Sequence, residues 1–191
     1  MKKLHLPLTE QDVRSLRLGD SVMLTGRIFT ARDAAHGSIV SHPVLEAPAP
    51  DLTNGVLYHC GPVIVKRDGA WTVTAAGPTT SSREEPYEAS VIARFGIKAI
   101  IGKGGMGPDT AEACRTYGCV YLQATGGAAQ VLAASVKEVT NVYYYDLFGA
   151  PEAIWELSVV DFPATVTMDA SGNSLHADIL QSSRRRLAEL M

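Results

Sequence analysis

Residues 77–83 read GPTTSSR, and residues 102–107 read GKGGMG. The first stretch sets four consecutive hydroxyls, Thr79, Thr80, Ser81 and Ser82, directly before Arg83. The second holds Lys103 between Gly102 and Gly104, and a third, ARDAAH at 31–36, offers Arg32 and His36. Hydroxyl donors and fixed cations beside the free N–H groups of a helix start suit a carboxylate or a phosphate. A plainer use exists for two of the hydroxyls, because Ser81 and Ser82 each precede a glutamate by three residues, the spacing of a capping box. That leaves Thr79, Thr80 and Arg83 unexplained. GKGGMG matches G-x-G-x-x-G at Gly102, Gly104 and Gly107, but the next strand ends in Gln123-Ala124-Thr125, without the acid a dinucleotide site needs. A P-loop fails as well, since Gly104 follows Lys103 where Ser or Thr belongs. What remains is a lysine on glycine backbone that approaches something closely. A solvated arginine at 32 and a histidine that only bonds its own loop are the plain alternatives for ARDAAH. Taken together, the loops offer cations and hydroxyls but no paired carboxylate and no nucleophile with a base. This is half of a site for a small dianion, and the other half must come from elsewhere.

Those loops need a scaffold that brings them to one place. From residue 71 the pattern runs strand, glycine loop, helix, three times. WTVTAA leads to a helix near 83–95, IKAII (97–101) to one near 109–117, and CVYLQA (119–124) to one near 127–138. The loops open about 25 residues apart, the length of one βα unit, which predicts a small, partly parallel sheet with the loops at the carboxyl ends of its strands. Before it, SVMLTGRIFTA (21–31) and VLYHCGPVIV (56–65) read as strands separated by a long loop, and KRDGA before WTVTAA as a hairpin turn. After it, a helical turn is expected around PEAIWEL, a final strand at FPATVTM, and a polar helix or frayed end carrying Arg184 to Arg186. The expected organisation is one domain over 1–191, with a core at about 17–175 and a polar tail at 176–191.

Composition narrows the function classes. With 191 residues, 46% of them hydrophobic, a sizeable core can form, and a net charge of −3 gives no basic stripe for nucleic acid. No stretch approaches a membrane span and the N-terminus carries no signal-peptide core, so the reading is a cytoplasmic chain. Cys60, Cys114 and Cys119 are too few for an iron–sulfur motif and read as reduced, buried thiols. His42, His59 and His176 have no companions at metal-ligand spacing, so no metal site is expected on this chain.

The stretches ARDAAH (31–36), NGVLYHCGPV (54–63), GPTTSSR (77–83), GIKAIIGKGGMG (96–107) and FGAPEAIWELSVVDFPATVTMDASGN (148–173) together resemble the β subunit, or C-terminal domain, of the class I, iron–sulfur-dependent fumarate hydratase and L-tartrate dehydratase family. The resemblance implies an α/β fold of the swivelling β/β/α kind. It also implies a hydro-lyase that interconverts fumarate and L-malate, or dehydrates a related hydroxydiacid. The partner would be an α subunit that holds a 4Fe-4S cluster, with no cofactor bound by this chain alone and a homodimer of β chains left open. By position, Arg32, Arg83, Lys103 and Thr79 correspond to the family's substrate ligands, and Thr80 to a proposed catalytic base. His36, Ser81 and Gly104 stand as supporting residues. Glu84 occupies a position where the family commonly has methionine, and would either cap the helix or alter specificity at the edge of the site. A non-catalytic anion-binding or assembly subunit is the alternative of another class.

Overall fold

The computed structural model describes residues 1–42 and 47–190. In chain order its elements are β1 (Lys2–His5), α1 (Glu10–Ser15), β2 (Ser21–Thr30), α2 (Asp33–Ser41), β3 (Val56–Tyr58), β4 (Val63–Arg67) and β5 (Ala70–Ala75). A 3₁₀ turn (Ser81–Arg83) then precedes α3 (Glu85–Phe95), β6 (Ala99–Gly102), α4 (Pro108–Tyr117), β7 (Val120–Gln123) and α5 (Ala129–Ala134). The chain closes with β8 (Val136–Tyr143), α6 (Tyr145–Phe148), β9 (Ile154–Met168) and α7 (Leu175–Leu190).

Seven strands, among the described residues, form one mixed sheet in the order β1-β2-β3-β6-β7-β9-β8. β1, β2, β3, β6 and β7 run parallel, while β9 runs antiparallel to β7, β8 and β2. Because β9 bonds to both β7 and β2, the sheet closes on itself into a barrel-like ring, which removes most of its edges. Alternate residues then face two cores. Val56, Tyr58, Ala99, Ile101, Val120 and Leu122 point into one cluster, whereas Leu57, Ile100 and Tyr121 point into a second that packs against α2, α3 and α4.

The parallel βα units are as the sequence pattern predicts around β6 and β7, with four differences. WTVTAA is not a strand of this sheet: β5 pairs only with β4 in a separate two-stranded hairpin, turned by Asp68 and Gly69, both at positive φ. VLYHCGPVIV is two strands, because Gly61 and Pro62 interrupt it after the Tyr58 pairing ends. The helix expected to 138 stops at Ala134, and Val136, Val139 and Val142 turn inward along β8, three residues apart because two bulges interrupt its pairing with β9. PEAIWEL is a helical turn only at its start, where Ala153 N–H donates to Gly149 O; from Ile154 it is the first part of the 15-residue β9, held by β2 on one side and β8 on the other. The long loop after β2 contains α2, with residues 43–46 outside the described set. The tail is helical as α7, and Arg184, Arg185 and Arg186 are exposed on it.

Candidate functional site

Three chain segments meet where β2, β3 and β6 end. Arg32 stands at the N-cap of α2, one residue after Ala31, whose N–H donates to Tyr58 O. The N–H of Thr79 donates to His59 O at 2.7 Å, which ties the hydroxyl loop to the end of β3. Thr80 then forms a parallel bridge with Lys103, and Ser81 N–H donates to Lys103 O at 3.0 Å, which ties the same loop to the end of β6. The hydroxyl loop follows the outlying hairpin rather than a central strand, so these backbone bonds, not its own strand, place it.

The glycines of the second loop have specific reasons. A Cβ on Gly102 would lie 1.8 Å from Ser81 Oγ, and Gly105, at φ +79°, would press one against the His176 ring at 2.4 Å. Gly104 donates its N–H to Gln123 Oε1 at 3.1 Å.

The helix ends behave differently from the capping-box expectation. Neither the 3₁₀ turn nor α3 has a side-chain cap. Glu85 instead crosses to the start of α4, where its carboxylate accepts from the N–H groups of Gly107, Asp109 and Thr110 and from the Thr110 hydroxyl. The helix end beside the glycine loop is therefore already filled by an anion of this chain. Ser81 turns inward: its Oγ accepts from Tyr121 and meets His59 Nδ1, both at 2.9 Å.

The cations are unequally committed. Arg32 reaches Glu152 at 3.4 Å, and its Nε is buried without a hydrogen-bond partner. Arg83, half exposed, lies against Asp33 in a two-point pair. Lys103, by contrast, has no salt bridge among the described residues, and the hydroxyls of Thr79 and Thr80 have no hydrogen bond there either. Thr80 is exposed and Lys103 half-buried. The structure thus brings Arg32, Thr79, Thr80, Arg83, Lys103 and Gly104 to one end of the sheet, with Ser81 and His36 beneath them.

Beneath that surface lies a charged interior that the residue pattern does not announce. His36, His59, Glu84 and Glu88 are all fully buried. Glu88 Oε2 sits 2.9 Å from Nε2 of both His36 and His59, and His36 Nδ1 sits 2.9 Å from Arg32 O. Burial would push His36 down, but attraction and hydrogen bonding from Glu88, with help from Glu84 and the Arg32 carbonyl, carry it above its ordinary value. Burial, reinforced by His36, wins at His59 and lowers it despite Glu88. Burial also works to raise Glu88, yet the two histidines hold it at about 2. Glu84 has neither carboxylate oxygen hydrogen-bonded, and burial pushes it up to about 7. It does not cap α3. The ligand atoms of His36, His59 and Glu88 lie within 4.8 Å of one another, a spacing a cation could use, but hydrogen bonds already join Glu88 Oε2 to both Nε2 atoms, leaving only Glu88 Oε1 without a partner. Glu84 at the N-cap position of α3 and Glu88 four residues on were the one sequence hint of this interior.

The three thiols are all buried; Cys114 and Cys119 are in hydrogen-bond contact and Cys60 lies apart from them. Cys60 belongs to one core cluster, and Cys114 and Cys119 to the other. Burial pushes Cys60 up to about 12 and Cys119 well above its usual value. A buried pair and one distant thiol do not supply the converging ligands an iron–sulfur cluster needs.

The sequence profile of the Fumarase C-terminus family matches residues 1–179. The chain belongs to that family. A protein of Geobacillus stearothermophilus, provisionally named a class I fumarate hydratase, is 50% identical over 187 residues, which are 97% of this chain and 35% of that protein. A protein of Methanocaldococcus jannaschii, provisionally named an L(+)-tartrate dehydratase β subunit, is 44% identical over 186 residues, 96% of this chain and 95% of its own. The L(+)-tartrate dehydratase β subunit of Escherichia coli K12 is 37% identical over 181 residues, 93% and 88% respectively. The chain therefore spans about a third of the Geobacillus relative and nearly all of the two others. No helix among the described residues is long and apolar enough to cross a membrane.

Proposed function

We propose that this chain is the dicarboxylate-binding β component of a hydro-lyase that hydrates fumarate to L-malate, completed by a separate α component. The observation that carries the reading is the convergence of Arg32, Thr79, Thr80, Arg83 and Lys103 from three loops beside the carboxyl ends of β2, β3 and β6, with Lys103 and both threonine hydroxyls uncommitted among the described residues. Two carboxylates per substrate require more than one cationic contact, and Lys103 with the two arginines supplies them. In the dehydration direction a base removes the proton from the carbon next to a carboxylate. Thr80 Oγ is the candidate for it, on the exposed rim beside the Lys103 backbone. A threonine hydroxyl is a weak base, and nearby cations lower the cost of its deprotonated form. Arg32 and Arg83 enter the reaction already balanced by Glu152 and Asp33, so a substrate carboxylate exchanges with, or adds to, an internal one.

An iron–sulfur cluster, which the thiols here do not fit, would be the contribution of the α component, and would supply Lewis-acid help to departure of the hydroxyl. The swivelling motion that the family resemblance implies would then bring the three loops onto it. L-Tartrate dehydration is the second reading, favoured by the near-complete coverage of two relatives bearing that name. The test is anaerobic co-expression with the cluster-bearing subunit of the same organism, following fumarate and L-tartrate side by side. Fumarate turnover only when both subunits are present is the expected result; tartrate turnover alone selects the second reading, and activity with neither overturns both.

A further inference from the structure

The protons of the buried array follow from its partners once Glu88 is ionised, as its low value makes it. His36 Nδ1 faces the Arg32 carbonyl and His36 Nε2 faces the Glu88 carboxylate, each at 2.9 Å, and both partners are then acceptors. Two acceptors require two ring N–H groups, which makes His36 a cation. His59 differs. Its Nε2–H donates to Glu88, while its Nδ1 can accept from the Ser81 hydroxyl, whose oxygen in turn accepts from Tyr121. A consistent chain of donors therefore runs from Tyr121 through Ser81 and His59 to Glu88, with His59 neutral.

We propose that His36 is a sealed imidazolium and the positioning residue of the anion site. It locks Arg32 at the start of α2 to Glu88 on α3, and through Glu88, His59 and Ser81 it locks the Thr79–Arg83 loop and the Lys103 backbone. Each candidate ligand lies one step from the array. Arg32 gives its carbonyl to both the backbone N–H and the ring of His36. Thr79 donates its N–H to His59 O, and Ser81 donates its own to Lys103 O. Asp33, next to Arg32, holds Arg83. A buried cation survives only where it is paired and hydrogen-bonded, so the array tolerates few arrangements and fixes the loops it touches.

The charged and titratable groups facing His36 are Glu84 and Glu88, at and within α3, and His59 after β3, with the Arg32 carbonyl from its own helix; Asp33 and Arg83 act on Glu84 beside it. Glu84 has an oxygen 3.6 Å from His36 Nδ1, too far for a hydrogen bond but close enough for its charge to be felt. The role in binding a diacid rests on the function proposed above; the charge state and the positioning do not.

The test is histidine ¹⁵N and backbone amide NMR of the whole chain, wild type and variants, without substrate. The expected spectra show His36 with both ring nitrogens still protonated above the roughly 6.5 midpoint of a free imidazole, and His59 neutral with its proton on Nε2. A step in the His36 Nδ1 signal near the Glu84 midpoint of about 7 is expected, and Glu84→Gln abolishes it. His36→Gln shifts the amides of Arg32, Ser81 and Lys103. Ser81→Ala, which cuts the array beyond His59, shifts those of Thr79, Arg83 and Lys103 and leaves Arg32 in place; it decides the positioning if His36→Gln does not fold. A neutral His36, stoichiometric zinc on the histidines, or loop amides unmoved in a folded variant overturns the inference. Because no readout uses a substrate, failure of the hydro-lyase assay would leave it standing.

Discussion

Glu84→Gln isolates one buried charge whose cost can be worked from the structure. Glu84 is fully buried, neither of its oxygens has a hydrogen-bond partner, and burial raises its carboxyl from 4.5 to about 7. Asp33 and Glu88 push in the same direction, while His36 and Arg83 oppose them. An acid with a raised folded pKa keeps its proton in the native state over a range where the unfolded chain has released it. Stability therefore falls as pH rises from about 4.5 to about 7 and is flat above that. At about 1.4 kcal/mol per tenfold change in proton affinity, the full loss is up to about 3 kcal/mol. The glutamine removes this dependence and adds only a pH-independent offset from its buried amide. Urea unfolding of both proteins at a series of pH values measures the difference directly. The variant's advantage should grow through the stated window and then level off. A difference that stays constant with pH would refute the assignment of Glu84 as a buried, unpartnered acid.

Glu88→Gln leaves the His36 imidazolium without its counter-charge, and equilibrium unfolding near neutral pH should show a loss of about 3–5 kcal/mol; since Glu88 is held at about 2, wild-type Glu88 keeps its stabilising charge until the pH approaches that value. Gly102→Ala puts a methyl 1.8 Å from Ser81 Oγ and 2.9 Å from the Tyr121 hydroxyl, and should cost about 1–3 kcal/mol in a thermal or urea melt. Glu85→Gln removes the anion that fills the start of α4, and should cost about 1 kcal/mol with amide exchange raised at Gly107, Asp109 and Thr110. In the co-expressed complex, Lys103→Met should lower kcat/KM by the equivalent of about 1.5–3 kcal/mol, and Thr80→Val should lower kcat more than it raises KM; steady-state kinetics showing wild-type values for either removes that residue from the proposed site.

Much of this protein was decided locally and is legible in the amino-acid order. The strand, glycine loop and helix repeat around β6 and β7 follows from hydrophobic periodicity, and the Asp68-Gly69 turn follows from the need for positive φ. The cations and free hydroxyls of 32, 79, 80, 83 and 103 are legible as residue types too, and the loops after β2 and β6 gather at one end of the sheet because those strands are parallel; the 79–83 loop joins them only through its backbone bonds to His59 and Lys103. What only tertiary structure decided depends on partners distant in sequence. WTVTAA has the pattern of a sheet strand, yet it pairs with β4 alone, since the central positions go to β3 and β6. The apolar run from Ile154 becomes strand because β2 and β8 flank it with unpaired backbone. Ser81 and Glu85 carry capping signals, but neither caps α3: His59 and Tyr121 engage the one, and the exposed N–H groups of α4 attract the other. Above all, His36 meets Glu88 across 52 residues, Arg83 meets Asp33 across 50, and Glu152 reaches the Arg32–Ala34 turn across 118. Burial removes the water that would otherwise solvate His36 and Glu88, so each must find a partner, while the half-exposed Arg83 and Asp33 keep some solvent; in every case the fold rather than the sequence neighbourhood determines which partner is within reach.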